Sequence, residues 1–208
     1  MGSWYAHKLA TTFSMTELPA GWDATPYHER GWCTFERAVS ELVKGSVSAG
    51  WRKVADPAIV RKVSGGAGTY RSAPEHPQAF AARLALKTFT NGKADCELVA
   101  GLYADTLAAA LGEVGYLQYV SCAWGDDEVE KVAAVLPFTR DLVELDLCAN
   151  PRIGSRGFDA LAAALANGAA PNLRRVMCDQ ARSASTAALR AACGARGIVV
   201  DVVYEDGR

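Results

Sequence analysis

Histidine is scarce in this chain, three in 208 residues, and none of the six cysteines belongs to a Cys-x-x-Cys pair. These shortages argue against a zinc site and a disulfide framework, each of which needs several ligands or thiols at set spacings. Neither sign of charge is in excess: 22 lysines and arginines face 23 aspartates and glutamates, for a formal net charge of -1. Nothing in that balance recruits a polyanion, so no nucleic-acid partner is expected. A run of 18 apolar residues is missing, and with it an ordinary membrane span, so no membrane partner is expected either. The first residues show no basic stretch followed by an apolar one, the mark of a secretory signal. Together with the unpaired thiols, this leads to an expectation of a cytoplasmic protein in a reducing compartment. What the chain does have is apolar bulk: 50% of its residues are hydrophobic and 22% charged, enough for a soluble globular protein with a substantial core.

The second half repeats. Leu142, Leu145 and Leu147 stand at the spacing of a short strand, followed by Asn150, Gly154 and the helical run Phe158, Leu161, Ala162, Leu165. The same start recurs as Leu117, Val120, Cys122 and as Leu173, Val176, Cys178, at separations of 25 and 31 residues. Periods of this length mark repeat architectures. On these residues the stretch 117–197 resembles the leucine-rich repeat family of the ribonuclease-inhibitor-like type. The resemblance implies an α/β fold, a short leucine-rich repeat stack with parallel strands and outer helices. About three units are needed, because one alone cannot bury its apolar faces. It also implies that Asn150 satisfies backbone groups where the chain leaves the strand, with Gly125 and Ala181 at the matching places. Cys122 and Cys178 take the third inward position of their strands and act as small buried hydrophobes. The units run over 117–141, 142–171 and 173–197, with Ser183 or Ser185 as a helix cap in the third. A terminal strand from Ile198 to Tyr204 completes residues 116–208.

Residues 1–64 read as a small α/β segment preceding the stack. Leu9, Thr11, Phe13 and Met15 alternate as in a strand, and Pro19, Gly21, Asp23, Pro26 and Gly31 indicate a loop. Trp32, Phe35, Val39 and Leu42 share one face of a helix over 32–44. Its opening, Gly-Trp-Cys-Thr-Phe-Glu-Arg at 31–37, is similar to a helix of Toll/interleukin-receptor-like domains, intracellular α/β signalling modules of which some cleave NAD. That resemblance implies a partial module over residues 8–60 and places the family's catalytic glutamate at Glu36. The residue pattern alone allows a plainer role, a carboxylate in a first helical turn favoured by the helix dipole. His7 and His28 are candidate bases near neutral pH, and Cys33 is a candidate thiolate at a helix N-terminus. No neighbour in sequence completes a catalytic set for any of them.

Residues 65–115 read as a linker and capping helices. Gly65, Gly66 and Gly68, with Pro74 and Pro77 after them, lack the Gly-Lys-Ser/Thr ending of a phosphate loop. Phe80, Leu84 and Leu86 predict a helix over 77–87. Asp95 is expected to cap the next helix, whose apolar stripe is Leu98, Val99, Leu102, Tyr103, Leu107 and Leu111, and which covers the open end of the stack. Residues 95–140 are also similar to the junction that algal and other protist proteins place between a Toll-like segment and leucine-rich repeats.

In such a stack, side chains between the inward positions form the concave strand face. Here these are Gln118, Tyr119 and Ser121, then Val143, Glu144 and Asp146, then Arg174, Arg175 and Met177. The candidate binding residues are Tyr119, Glu144, Asp146, Arg174 and Arg175, tyrosine and arginine being frequent interface anchors. Asp126, Asp127 and Glu128 suit a helix N-terminus better than a calcium site, which needs more oxygen ligands. No cofactor or metal is expected. The leading expectation is therefore a non-enzymatic protein-protein interaction or scaffold module, with a protein as partner. The alternative is a partial Toll-like signalling module with NAD-cleaving activity through Glu36.

Overall fold

A computed structural model describes residues 6–7, 20–21, 23–43, 71–179 and 186–203. The expected strand around Leu9 to Met15, the glycines of the linker, the Ser183 or Ser185 cap and Tyr204 lie outside the described residues.

Four strands form one sheet: β1 (Tyr116–Gln118), β2 (Glu144–Asp146), β3 (Arg175–Asp179) and β4 (Val199–Val203). Their order in the sheet is their order in the chain, and every neighbouring pair is parallel. Parallel neighbours cannot be joined by a tight turn and need a crossover, usually a helix. Three helices that come later in the chain than two N-terminal helices and a long central one supply it. In chain order the helices are α1 (Gly31–Ser40), α2 (Pro77–Leu84), α3 (Lys93–Gly112), α4 (Asp126–Val135), α5 (Ser155–Ala166) and α6 (Ala187–Ala195). The last three follow β1, β2 and β3, and α5 packs against both α4 and α6, so the helices make a second layer in the same order as the strands.

The register corrects the expected alignment of the units. Leu117 pairs with Leu145 rather than standing level with Leu142, Leu145 pairs with Val176, and Val176 with Val200. The steps along the chain are therefore 28, 31 and 24 residues. Val114, Leu117, Tyr119 and Cys122 are the counterparts of Leu142, Leu145, Leu147 and Asn150. The place expected for Gly125 belongs to Cys122. Tyr119, expected on the strand face, is fully buried, and Val120, expected inside, is only half-buried.

The helices before the sheet share its core. Phe35, Val39 and Leu42 of the α1 region, Phe80 and Leu84 of α2, and Val99, Tyr103, Leu107 and Leu111 of α3 join one continuous apolar cluster that reaches Ile198. In α3 these buried residues recur every fourth position, so Leu98 falls off the stripe and is 53% exposed. Asp95 is not the cap expected there, since α3 begins after Gly92. Asp95 instead accepts from the Asn91 side-chain amide at 3.2 Å and from Trp32 Nε1 at 3.3 Å, tying α1 to α3. Helix α2 opens with Pro77 after His76, whose ring nitrogen accepts from Gln78 N at 3.3 Å. It closes at Leu84, leaving Leu86 85% exposed rather than on an apolar face. Tyr103 and Phe80 stack with centroids 3.6 Å apart and so fix α2 on α3. Helix α3 also packs against the short 3-10 turn Leu136–Phe138 after α4, which covers that end of the helix layer.

Within the helix layer the acidic opening of α4 has structural partners. Asp126 Oδ1 accepts from Gly154 N at 2.6 Å and Gly157 N at 3.0 Å, at the start of α5, where a carboxylate is favoured by the exposed amides and the helix dipole. Glu128 Oε2 reaches back to Gly125 N at 2.8 Å, and Arg156 pairs with Asp127 and with Glu130. At the other end of α5, the Arg196 guanidinium donates to the carbonyls of Leu165, Ala169 and Ala170, where a cation is favoured. The close approach of α4 and α5 depends on Gly157. A Cβ there would stand 2.9 Å from Asp126 Oδ1 and 3.1 Å from Val129 Cβ.

Gly157→Ala is therefore expected to cost about 1–3 kcal/mol by urea denaturation, because neither neighbour can yield without spoiling the helix contact. Gly101→Ala, on an α3 face with nothing within 4 Å, should instead stabilise by about 0.5–1 kcal/mol.

Candidate functional site

Alternation along the strands sends one set of side chains into the core and the other to the opposite face of the sheet. Leu117, Leu145 and Val176 point inward. The pairing then sets Tyr116, Glu144, Arg175 and Val199 side by side in one row across the four strands, with Gln118, Asp146, Met177 and Asp201 in the next. Of the expected binding residues, this face brings together Glu144, Asp146 and Arg175. Arg174 is exposed just before β3, and Tyr119 is removed to the core. The aromatic residue of the face is Tyr116, 43% exposed, which the misaligned first unit had hidden from the sequence reading.

Polar contacts hold this face in shape. Arg175 lies between two carboxylates, Glu144 Oε1 at 3.6 Å and Asp201 Oδ2 at 3.3 Å. The Tyr116 hydroxyl donates to Asp146 Oδ2 at 3.0 Å, and Asp146 Oδ1 accepts from Cys148 N at 3.0 Å. Burial first, then the Asp146 hydrogen bond and the charges of Asp146 and Glu144, push the Tyr116 phenol up to about 12. Burial and the same Asp146, with Asp179 beyond it, hold the Cys148 thiol far above its ordinary range. It is thus a protonated thiol and not a nucleophile.

The chain leaves β1 and β2 through bends that are each stitched to the next unit. Ser121 and Ala149, equivalent positions 28 residues apart, both adopt left-handed backbone, with φ of 55° and 57°. Such a conformation costs a residue with a Cβ about 1–2 kcal/mol. The Asn150 amide offsets it. Its Oδ1 accepts from Cys122 N at 3.0 Å and Trp124 N at 3.1 Å, and its Nδ2 donates to Tyr119 O at 2.7 Å and Leu147 O at 2.9 Å, with Cys148 O at 3.1 Å. Donors on one side and carbonyls on the other allow only one orientation of the side chain. Asp179 does the same one unit further on, accepting from Ala149 N and Asn150 N at 2.7 Å each.

At the β1 end Arg71 takes over. It is 2% exposed and donates to the carbonyls of Glu41 at 2.6 Å, Leu42 at 2.6 Å and Gln118 at 2.8 Å, while its own carbonyl accepts from Trp124 Nε1 at 2.7 Å. Its guanidinium lies 4.4 Å from the centroid of the Tyr119 ring, which in turn packs on Trp124 at 4.6 Å. Burial lowers the Arg71 pKa, yet an arginine remains charged in a protein. No feature of the sequence near Arg71 announces this role, since its partners lie 29 to 47 positions away.

The other candidates do not assemble into a catalytic set. A cleft of about 160 Å³ opens between α1 and the start of α2, lined by Cys33, Arg37, Glu41, Glu75, Arg83 and Tyr103 among others. That is below the several hundred Å³ of a typical ligand pocket. Its carboxylates are already paired, Glu41 with Arg37 at 3.2 Å and Glu75 with Arg83 at 3.1 Å. Glu36 is half-buried on α1 and is not among the residues lining the cleft. Burial, then the charge of Glu36, raise the Cys33 thiol, the opposite of what a thiolate nucleophile needs. His28 is exposed, 3.7 Å from Glu29. Among the described residues no group of three histidine, cysteine, aspartate or glutamate side chains could hold a metal ion, and no helix is long and apolar enough to cross a membrane.

Asn150→Ala strips the Cys122 and Trp124 amides of their acceptor and the Tyr119 and Leu147 carbonyls of a donor in the buried bend, and should cost at least about 3 kcal/mol by urea denaturation. Tyr119→Phe removes a buried hydroxyl that has no hydrogen-bond partner, and is expected to leave stability within about 0.5 kcal/mol of the parent or above it. The raised tyrosines set an alkaline limit. An unfolded chain releases phenolic protons near pH 10, whereas Tyr116 and Tyr119 hold theirs to about 12. The native state therefore binds more protons in that window, so stability present below about pH 10 falls as the pH rises toward 12. Denaturation midpoints across that range, with phenolate absorbance followed in Asp146→Asn, check both the sign and the part played by Asp146.

No family model, curated protein or solved structure gives a match to this chain, so the reading of its function rests on the geometry above.

Proposed function

We propose that the strand-and-helix units are leucine-rich repeats of the ribonuclease-inhibitor-like type and that the chain is a non-enzymatic protein-interaction or scaffold module, its partner bound on the strand face. The repeat reading is supported by the corrected alignment. Val114, Leu117, Tyr119 and Cys122 reproduce the spacing of Leu142, Leu145, Leu147 and Asn150, with asparagine or cysteine at the place where that family uses either. The observation that carries the functional reading is the row Tyr116, Glu144, Arg175 and Val199, set side by side by the parallel register and left 37–53% exposed. Tyrosine and arginine are residue types enriched at interface centres. The cleft between α1 and α2 takes none of its lining from this face. The residues expected to touch the partner are thus Tyr116, Glu144, Arg174 and Arg175, while Asp146 is buried and holds Tyr116 in place.

Affinity capture from native extract tests this reading when the captured protein is followed through substitutions. Tyr116→Ala, which removes the ring, and Val199→Trp, which places bulk in the row, are expected to weaken its retention about tenfold or more. Asp105→Asn, on an exposed position of α3, should leave it unchanged. A captured protein that ignores both face substitutions overturns the assignment of the face.

A further inference from the structure

The same strand face carries an uneven charge. Glu144, Asp146, Asp179 and Asp201 belong to its strands, against Arg175 in β3 and Arg174 immediately before it. Arg175 is shared between Glu144 and Asp201 at 3.6 and 3.3 Å. A single guanidinium divided in this way leaves acceptor sites open on both carboxylates, each of which can take several donors. Asp146 and Asp179 are differently placed. Their oxygens are taken by the Tyr116 hydroxyl and by the amides of Cys148, Ala149 and Asn150, so they supply field rather than contact. These amides carry no net charge, and the negative potential therefore persists at the ends of β2 and β3. Two titrating groups register it: Tyr116 and Cys148 both hold their protons more tightly, in part through these carboxylates.

Resting on the reading of this face as an interaction surface, we infer that its occupant is a basic segment of a partner protein, presenting arginine or lysine to Glu144 and Asp201 beside Tyr116 and Val199. The strands that carry the two carboxylates, β2 and β4, lie roughly 10 Å apart across the sheet, within the span of one short extended segment with basic residues a few positions apart. Tyr116, 43% exposed, offers a ring face to a guanidinium, and Val199, 53% exposed, offers apolar contact to the stems of such side chains. An acidic segment would meet like charge at four positions and find only Arg174 and Arg175 to answer it.

The probe is a fluorescein-labelled decapeptide of alternating arginine and serine, read by anisotropy against the full chain, with a glutamate-serine peptide as its counterpart. The arginine peptide is expected to bind and to weaken as salt is raised, and the glutamate peptide not to bind. Glu144→Gln combined with Asp201→Asn should weaken the arginine peptide at least about fivefold. Glu97→Gln combined with Asp105→Asn, two exposed positions on α3, should not change it. Circular dichroism confirms that both variants are folded. Equal binding by the glutamate peptide, or an equal loss in the α3 control, overturns the inference. If the arginine peptide fails to bind while a captured protein still depends on Tyr116 and Val199, the basic occupant falls and the interaction face stands. If that dependence is missing too, both fall.

Discussion

One carboxamide, that of Asn150, decides how two neighbouring strands end. Its two amide acceptances and its donations to carbonyls span β1 and β2 at the point where both chains bend away from the sheet. Without it, a left-handed bend at Ser121 and another at Ala149 would carry buried backbone groups with no partner, a cost on the order of several kcal/mol. The sheet has only three residues in each of β1 and β2, too few ladder bonds to fix the register alone. Side-chain stitching at the bends supplies what the ladder lacks, and with it the alignment of the outer face.

The same device changes chemistry from unit to unit. Asp179 serves the bend after β2 as a carboxylate, Asn150 serves the bend after β1 as an amide, and Arg71 serves the last carbonyl of β1 as a cation. Each suits the backbone groups it meets. Asp179 accepts from amides, Asn150 meets amides and carbonyls, and Arg71 donates to carbonyls. On the helix side Asp126 and Arg196 follow the same logic, a carboxylate at the opening of α5 and a guanidinium at its close. The core beneath is continuous from Phe35 to Ile198, so these polar clasps orient elements that apolar burial already holds together.

Much of this was legible in the sequence. The apolar stripes of α1 and α3 and the strands β2 to β4 follow from periodicity and spacing, and the bend asparagine from what the family resemblance implies. The first unit was misread for a specific reason: Leu117 and Cys122 are five apart, as are Leu173 and Cys178, and that coincidence favours an alignment three residues out of step. The longer pattern from Val114 through Cys122 sets four positions against Leu142 through Asn150 where the other sets three, and it is the one the strand pairing follows. A tyrosine in place of an inward leucine also disguised the register. Tyr119 is large enough to need Arg71 and Trp124 around it, and those contacts are long-range. Leu86 and Leu98 show the opposite failure, apolar residues near a stripe that the helix end and the helical pitch leave in solvent.

The left-handed bends bear on the order in which the protein can be completed as it is made. Cys122 N waits for Asn150, 28 residues further along, and Ala149 N waits for Asp179, 30 further again from its own position. A chain emerging from the ribosome N-terminus first presents these two bends before the side chains that satisfy their amides have been synthesised. Until then those amides are left to water. Structure thus closes backwards, each newly made unit finishing the one before it.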